Sequence, residues 1–176
     1  NIQKIGHTAP VDGVLNVWVA PVDDPAAARP ITNDTYRGIR NHVWAPNSEY
    51  VYFLQDKGGN ENFQVYASNV EIGEVRSLTP QDEGVRSTIQ GVSRSKADKI
   101  LVGSNDRNGQ VFDLYMVDTA TGEKTLVKEN PGYAAWMVDN ELEPRFGMVQ
   151  VPGGGANVVD FDGNVWGVNR GSMAFR

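Results

Sequence analysis

The feature that most restricts this chain is a spacing. Three segments share one layout: an apolar and aromatic strand, a polar turn, then a shorter strand that ends at a polar residue. They run from Asn16-Val17-Trp18-Val19-Ala20 to Pro30-Ile31-Thr32, from Phe63-Gln64-Val65-Tyr66-Ala67 to Ser77-Leu78-Thr79, and from Phe112-Asp113-Leu114-Tyr115-Met116 to Lys124-Thr125-Leu126-Val127. Superposing Trp18, Tyr66 and Tyr115 gives steps of 48 and 49 residues. Self-similarity at a fixed period marks a repeat architecture, and a period of about 50 with four strands per unit is propeller-like.

The turns inside these units carry their own chemistry. Glu71-Ile72-Gly73-Glu74 and Thr119-Ala120-Thr121-Gly122-Glu123 each place a glycine, able to take positive φ, just before the chain reverses. The first unit instead uses Asp23-Asp24-Pro25-Ala26-Ala27-Ala28, where Pro25 and the missing glycine predict a looser turn or a short helical piece. Upstream of each pair lies another. It is clearest as Arg37 to Trp44, then Pro46-Asn47-Ser48, then Tyr50 to Gln55, and again as Val85 to Val92, Lys96-Ala97-Asp98 and Ile100 to Gly103. The second strand of each set is apolar on both faces, which suits a sheet sandwiched between two others. The first is more polar, as expected along a central channel.

A fourth unit is expected from Tyr133-Ala134-Ala135-Trp136-Met137 through Phe146 to Val151, with Asn164 to Val168 as its last strand. The amino end reads as the second strand of a unit whose first strand is missing. The division is therefore 1–32 for an incomplete first blade, 35–79, 85–128 and 132–170. The fold class is all-β: a partial or small β-propeller of three to four blades of four-stranded antiparallel sheets. With 19 Gly, 9 Pro and 40% hydrophobic residues, the chain has turns to punctuate many strands and enough apolar side chains for a core.

Charge and composition exclude several partners. A net charge of −6 opposes binding to nucleic acid or to an anionic membrane, both of which need a basic face. No apolar run approaches the roughly 20 residues of a membrane span. The absence of cysteine rules out disulfides and thiolate metal sites, and fits a cytoplasmic as well as a periplasmic or secreted protein. The chain begins without Met, as expected of a processed protein or of one segment of a longer polypeptide.

Several strings resemble, in order and spacing, the propeller of prolyl oligopeptidase-family serine peptidases. They are Asp12-Gly13-Val14-Leu15-Asn16-Val17-Trp18-Val19-Ala20-Pro21, Arg29-Pro30-Ile31-Thr32, Leu54-Gln55-Asp56-Lys57-Gly58-Gly59-Asn60-Glu61-Asn62, Ser77-Leu78-Thr79-Pro80, Asn105-Asp106-Arg107 and Phe112-Asp113-Leu114-Tyr115. The nearest branch is that of the bacterial acylaminoacyl-peptidases and dipeptidyl aminopeptidases, and the resemblance runs from about Ile5 to Arg145. It implies a propeller that admits peptides and excludes folded proteins, partnered by an α/β-hydrolase domain with a Ser-Asp-His triad. After about Gly147 the sequence departs from that pattern into Pro152-Gly153-Gly154-Gly155 and Asp160-Phe161-Asp162-Gly163-Asn164.

The residues supply no catalytic set of their own. A hydrolase nucleophile of that fold sits in Gly-x-Ser-x-Gly, and the nearest string, Gly91-Val92-Ser93-Arg94-Ser95, lacks the second glycine and reads as a turn. His7 and His42 are the only histidines, without an activated Ser or Cys beside them. Asp160 to Asn164 offers oxygens for calcium but no downstream bidentate Glu, so a glycine turn is the better reading. No catalytic residue, cofactor or metal is therefore assigned. The polar residues singled out are Arg40 and His42, facing the channel or the neighbouring blade according to register. With them go Asp106 and Arg107, read as holding a loop by an ion pair, with a ligand or the hydrolase domain as the other reading. The partners expected are that domain or a peptide substrate. The alternative function is a stand-alone propeller binding module for a protein or small ligand, its ring closed either alone or as a homo-oligomer.

Overall fold

The computed structural model describes residues 3–80 and 82–169, which form fifteen strands in four antiparallel sheets. Each sheet is a meander. The first holds β1 (Lys4–Val11), β2 (Val14–Pro21) and β3 (Arg29–Pro30). The second holds β4 (His42–Trp44), β5 (Tyr50–Gln55), β6 (Gln64–Asn69) and β7 (Val75–Ser77). The third holds β8 (Ser87–Val92), β9 (Lys99–Ser104), β10 (Asp113–Asp118) and β11 (Lys124–Lys128). The fourth holds β12 (Ala135–Val138), β13 (Pro144–Val151), β14 (Gly155–Val159) and β15 (Val165–Asn169). The chain is all-β, arranged as propeller blades.

The core lies between sheets rather than inside any of them. Val17, Val19 and Ile31 of the first unit meet Val51 and Phe53 of the second. Tyr52, Val65 and Ala67 of the second meet Ile100, Val102 and Val117 of the third, and Leu101 and Leu114 of the third meet Trp136 and Leu142 of the fourth. Side chains alternate faces along a strand, so the middle strands β5 and β9 must be apolar on both sides. Val51-Tyr52-Phe53 and Ile100-Leu101-Val102 are accordingly buried throughout.

The hairpins form as their sequences require. Asn69 accepts the N–H groups of Glu71 (2.9 Å) and Ile72 (3.1 Å) on its side chain, and Asp118 accepts those of Ala120 (2.9 Å) and Thr121 (2.8 Å). Gly73 and Gly122 then close each turn at φ of +69° and +77°. In the first unit the corresponding piece is a 3-10 turn over Pro25–Ala27.

A second repeated device ties each outer strand back to the sheet. The Thr32 hydroxyl accepts the Val17 N–H (2.9 Å) and donates to Asn16 Oδ1 (2.9 Å), and Thr79 does the same for Val65 (3.0 Å) and Gln64 Oε1 (2.7 Å). The third unit substitutes a carboxylate: Asp113 accepts the buried Asn130 N–H at 2.6 Å.

Two departures from the sequence reading matter for the site. The strand expected over Arg37 to Trp44 keeps only His42–Trp44. Gly38 sits at φ +81° with its N–H on the Asp34 carboxylate, and Ile39 donates its N–H to the Leu15 carbonyl (2.8 Å). Residues 37–41 are thus held by the first unit, and Arg40 lies off the strand. The fourth sheet is also staggered: β12 pairs with the first half of β13 and β14 with its second half. That stagger begins where the sequence departs from its family pattern. Gly147 lies against the Tyr133 ring, where an added Cβ would come within 2.4 Å.

Candidate functional site

The crossover from the first sheet to the second and the β5–β6 loop enclose a cavity of about 250 Å³. Asp34, Tyr36, Arg37, Arg40, Asp56 and Phe63 are among its walls. The Asp56 side chain, 3% exposed, accepts the Glu61 N–H (2.9 Å) and the Arg37 guanidinium (3.3 Å). Asp34 accepts the N–H groups of Tyr36 (3.4 Å) and Gly38. These interactions fold the walls and engage both carboxylates and one of the two cations. Arg40 is exposed and, among the described residues, has no ion-pair or hydrogen-bond partner. The rings of Tyr36 and Phe63, also exposed, line the same cavity.

His42 is not part of that cavity. It pairs across β4 and β5 with Phe53, whose ring belongs to the cluster between the first two sheets, so register turns His42 toward the first sheet. Burial and then the proximity of His7 push its pKa below the ordinary histidine value. The structure therefore separates Arg40 from His42.

Asp106 and Arg107, adjacent in the β9–β10 loop, point into different ion pairs. Asp106 takes Lys124, and Arg107 grips Asp113 through Nε (2.5 Å) and Nη2 (2.9 Å) and approaches Glu129 at 3.9 Å. Burial opposes ionisation of Asp106. Hydrogen bonds from Lys124, Tyr115 and Ser104 outweigh it and hold the carboxyl below its usual range. Burial and then Asp106 push the Tyr115 phenol up to about 12. Arg107 also lines a second cavity of about 550 Å³ with Lys128, Tyr133 and Phe161, where Lys128 Nζ lies 4.0 Å from the centre of the Phe161 ring.

The remaining candidates are turns. Ser93 is buried and shares a hydrogen bond with Ser95 (2.9 Å), which donates in turn to Glu141 (2.5 Å). Asp160 accepts the Trp166 indole N–H (2.7 Å), the Asn164 amide and two backbone N–H groups, which draw its pKa down to about 2. Among the described residues no cluster of three or more His, Asp or Glu is placed to hold a metal.

Sequence reasoning passed over Tyr36, Arg37, Asp56 and Phe63. One signal was available for Asp56, which stands 49 residues before Asn105 at the equivalent strand end. Asn105 likewise closes its loop, accepting the Arg86 N–H (2.6 Å) and donating to the Gly109 carbonyl (3.0 Å).

No family model matches the chain. It is 41% identical over 158 residues to dipeptidyl aminopeptidase BIII of Pseudoxanthomonas mexicana, a match that covers 89% of this chain and 23% of that protein. The chain is similar to the propeller part of prolyl oligopeptidase-family peptidases. This propeller segment is also 26% identical over 162 residues to dipeptidyl peptidase family member 6 of Caenorhabditis elegans, covering 86% of the chain and 21% of the relative. It thus spans less than a quarter of either curated peptidase. The crystal structure of TolB from Acinetobacter baumannii superposes on 95% of the segment with a TM-score of 0.58 at 16% identity, covering 40% of TolB. That likeness speaks for the propeller fold alone. No helix among the described residues is long and apolar enough to cross a membrane.

Proposed function

We propose that this chain is the non-catalytic, substrate-gating and docking portion of a prolyl oligopeptidase-like serine peptidase, whose α/β-hydrolase domain lies outside these 176 residues. The observation that carries the reading is the 41% identity over 158 residues to under a quarter of a dipeptidyl aminopeptidase, in a chain without Gly-x-Ser-x-Gly. The stacked sheets suit the role. Each is clamped to the next by a buried apolar layer, so the inner edge strands keep fixed positions and can set an aperture. The partners under this reading are the hydrolase domain and peptides that pass the aperture.

The test is a peptidase assay on the purified 176-residue chain with dipeptidyl p-nitroanilides, with and without a fluorophosphonate. No hydrolysis is expected. Turnover abolished by the serine-directed inhibitor would overturn the non-catalytic assignment.

A further inference from the structure

We propose that the cavity beneath Tyr36 and Phe63 is a binding site for a carboxylate carried by an extended peptide, with the Arg40 guanidinium as its anchor. The inference rests on the reading above in one respect, that peptides are what this propeller meets.

The charges decide the ligand class. Arg37 is already paired with Asp56, Asp56 is also held by the Glu61 N–H, and Asp34 is capped by two backbone N–H groups. The wall cation left without an ion pair is Arg40, exposed and without a partner among the described residues, while Asp34 is already occupied by backbone N–H donors. A guanidinium presents a planar fork of donors that matches a carboxylate in two parallel bonds.

Size and surroundings narrow the class further. The volume of about 250 Å³ lies below the roughly 300–1,000 Å³ that drug-sized ligands occupy, so the site takes one residue or chain end rather than a whole molecule. Tyr36 is 71% exposed and Phe63 38% exposed, and both line the cavity with Leu54. Aromatic side chains left in water on the walls of a cavity that holds a cation offer apolar contact to the backbone and small side chains that flank the anion. Gly58, at φ +64°, adds backbone without side-chain bulk at the rim.

Two sources share this chemistry, a free C-terminus and an Asp or Glu side chain. Acetyl-tetraalanine as the free acid, the same peptide as its amide, and acetyl-Ala-Ala-Glu-Ala-amide separate them. Each is titrated into the 15N-labelled chain while the backbone amides and arginine Nε–Hε signals are followed. At least one acid is expected to bind about tenfold more tightly than the neutral amide, the effect of one charge-assisted pair in a half-open site. Arg40→Gln removes that preference. Arg94→Gln, an exposed arginine lining a different cavity, leaves it intact. The tighter acid identifies the source. Equal binding of all three peptides, an unchanged preference in a folded Arg40→Gln variant, or no response to any peptide overturns the proposal. The readout is binding without hydrolysis, so turnover by the chain would refute the non-catalytic reading and leave this site standing.

Discussion

Replacing Thr32 by valine keeps the shape of the side chain and deletes one hydroxyl. That hydroxyl is the acceptor for the Val17 N–H at 2.9 Å, in a strand where Val17 is 0% exposed. Without it the amide is buried and unpaired, which costs about 1–3 kcal/mol. The other partner, Asn16 Oδ1, keeps the Asp34 N–H at 2.7 Å and adds little to the loss. The expected total is about 2 kcal/mol, and a domain of this length loses about 2–4 °C of melting temperature per kcal/mol, so Tm falls by about 4–8 °C. Thermal unfolding followed by far-UV circular dichroism measures it. Thr35→Val, exposed in the same crossover, is the control and stays within about 0.5 kcal/mol of the parent. Hydrogen exchange adds a local reading: the Ile39 amide, bonded to Leu15, loses protection as the crossover loosens. An unchanged Tm in Thr32→Val, or an equal fall in Thr35→Val, refutes the reasoning that a buried hydroxyl closes each unit.

Gly147→Ala places a methyl group within 2.4 Å of the Tyr133 ring and is expected to cost about 1–3 kcal/mol in chemical unfolding, as overpacking does. For Asp113, burial opposes ionisation but Arg107 and the Asn130 N–H prevail, so its folded pKa lies below the unfolded value. Its contribution to stability is complete above about pH 4 and fades as pH falls through the lower folded value, and Asp113→Asn flattens that acid limb in pH-dependent denaturation. Tyr115 has the opposite sign. Its phenol is raised to about 12, so stability is complete below about pH 10 and is lost as pH rises toward 12, a loss that Tyr115→Phe abolishes in alkaline unfolding.

The parts of the fold that were legible are those that every unit must solve in the same way. A sheet packed on both faces needs apolar residues at consecutive positions, so Val51-Tyr52-Phe53 and Ile100-Leu101-Val102 announce themselves. A tight reversal needs a side-chain acceptor and a glycine, so Asn69 with Gly73 and Asp118 with Gly122 recur at the same interval. The Arg37 to Asn41 segment departs from the expected strand because strand propensity competes there with a local turn bond, from Gly38 to Asp34, and a long-range one, from Ile39 to Leu15. Local sequence does not display the second of these. Asp106 and Arg107, read together as holding a loop by an ion pair, sit side by side in a turn and take separate partners, Lys124 and Asp113, of which the Arg107–Asp113 pair spans the β9–β10 loop.

The cavity escaped notice for a related reason, and the repeat explains why. Ile39 and Ser87 occupy one structural place, each donating its N–H to the carbonyl just ahead of Asn16 or Gln64, from Ile39 to Leu15 within β2 (2.8 Å) and from Ser87 to Phe63 just before β6 (2.7 Å). The residue after each is then free of that constraint, and it is Arg40 in one unit and Thr88 in the next. A period exposes what the units share, since shared positions carry the packing. A binding group belongs to one unit alone, so it lies where the period breaks, with a charge in one unit where the next carries a neutral residue. By that criterion Arg40, charged where the next unit carries Thr88, is the position at which the proposed carboxylate site departs from the repeat.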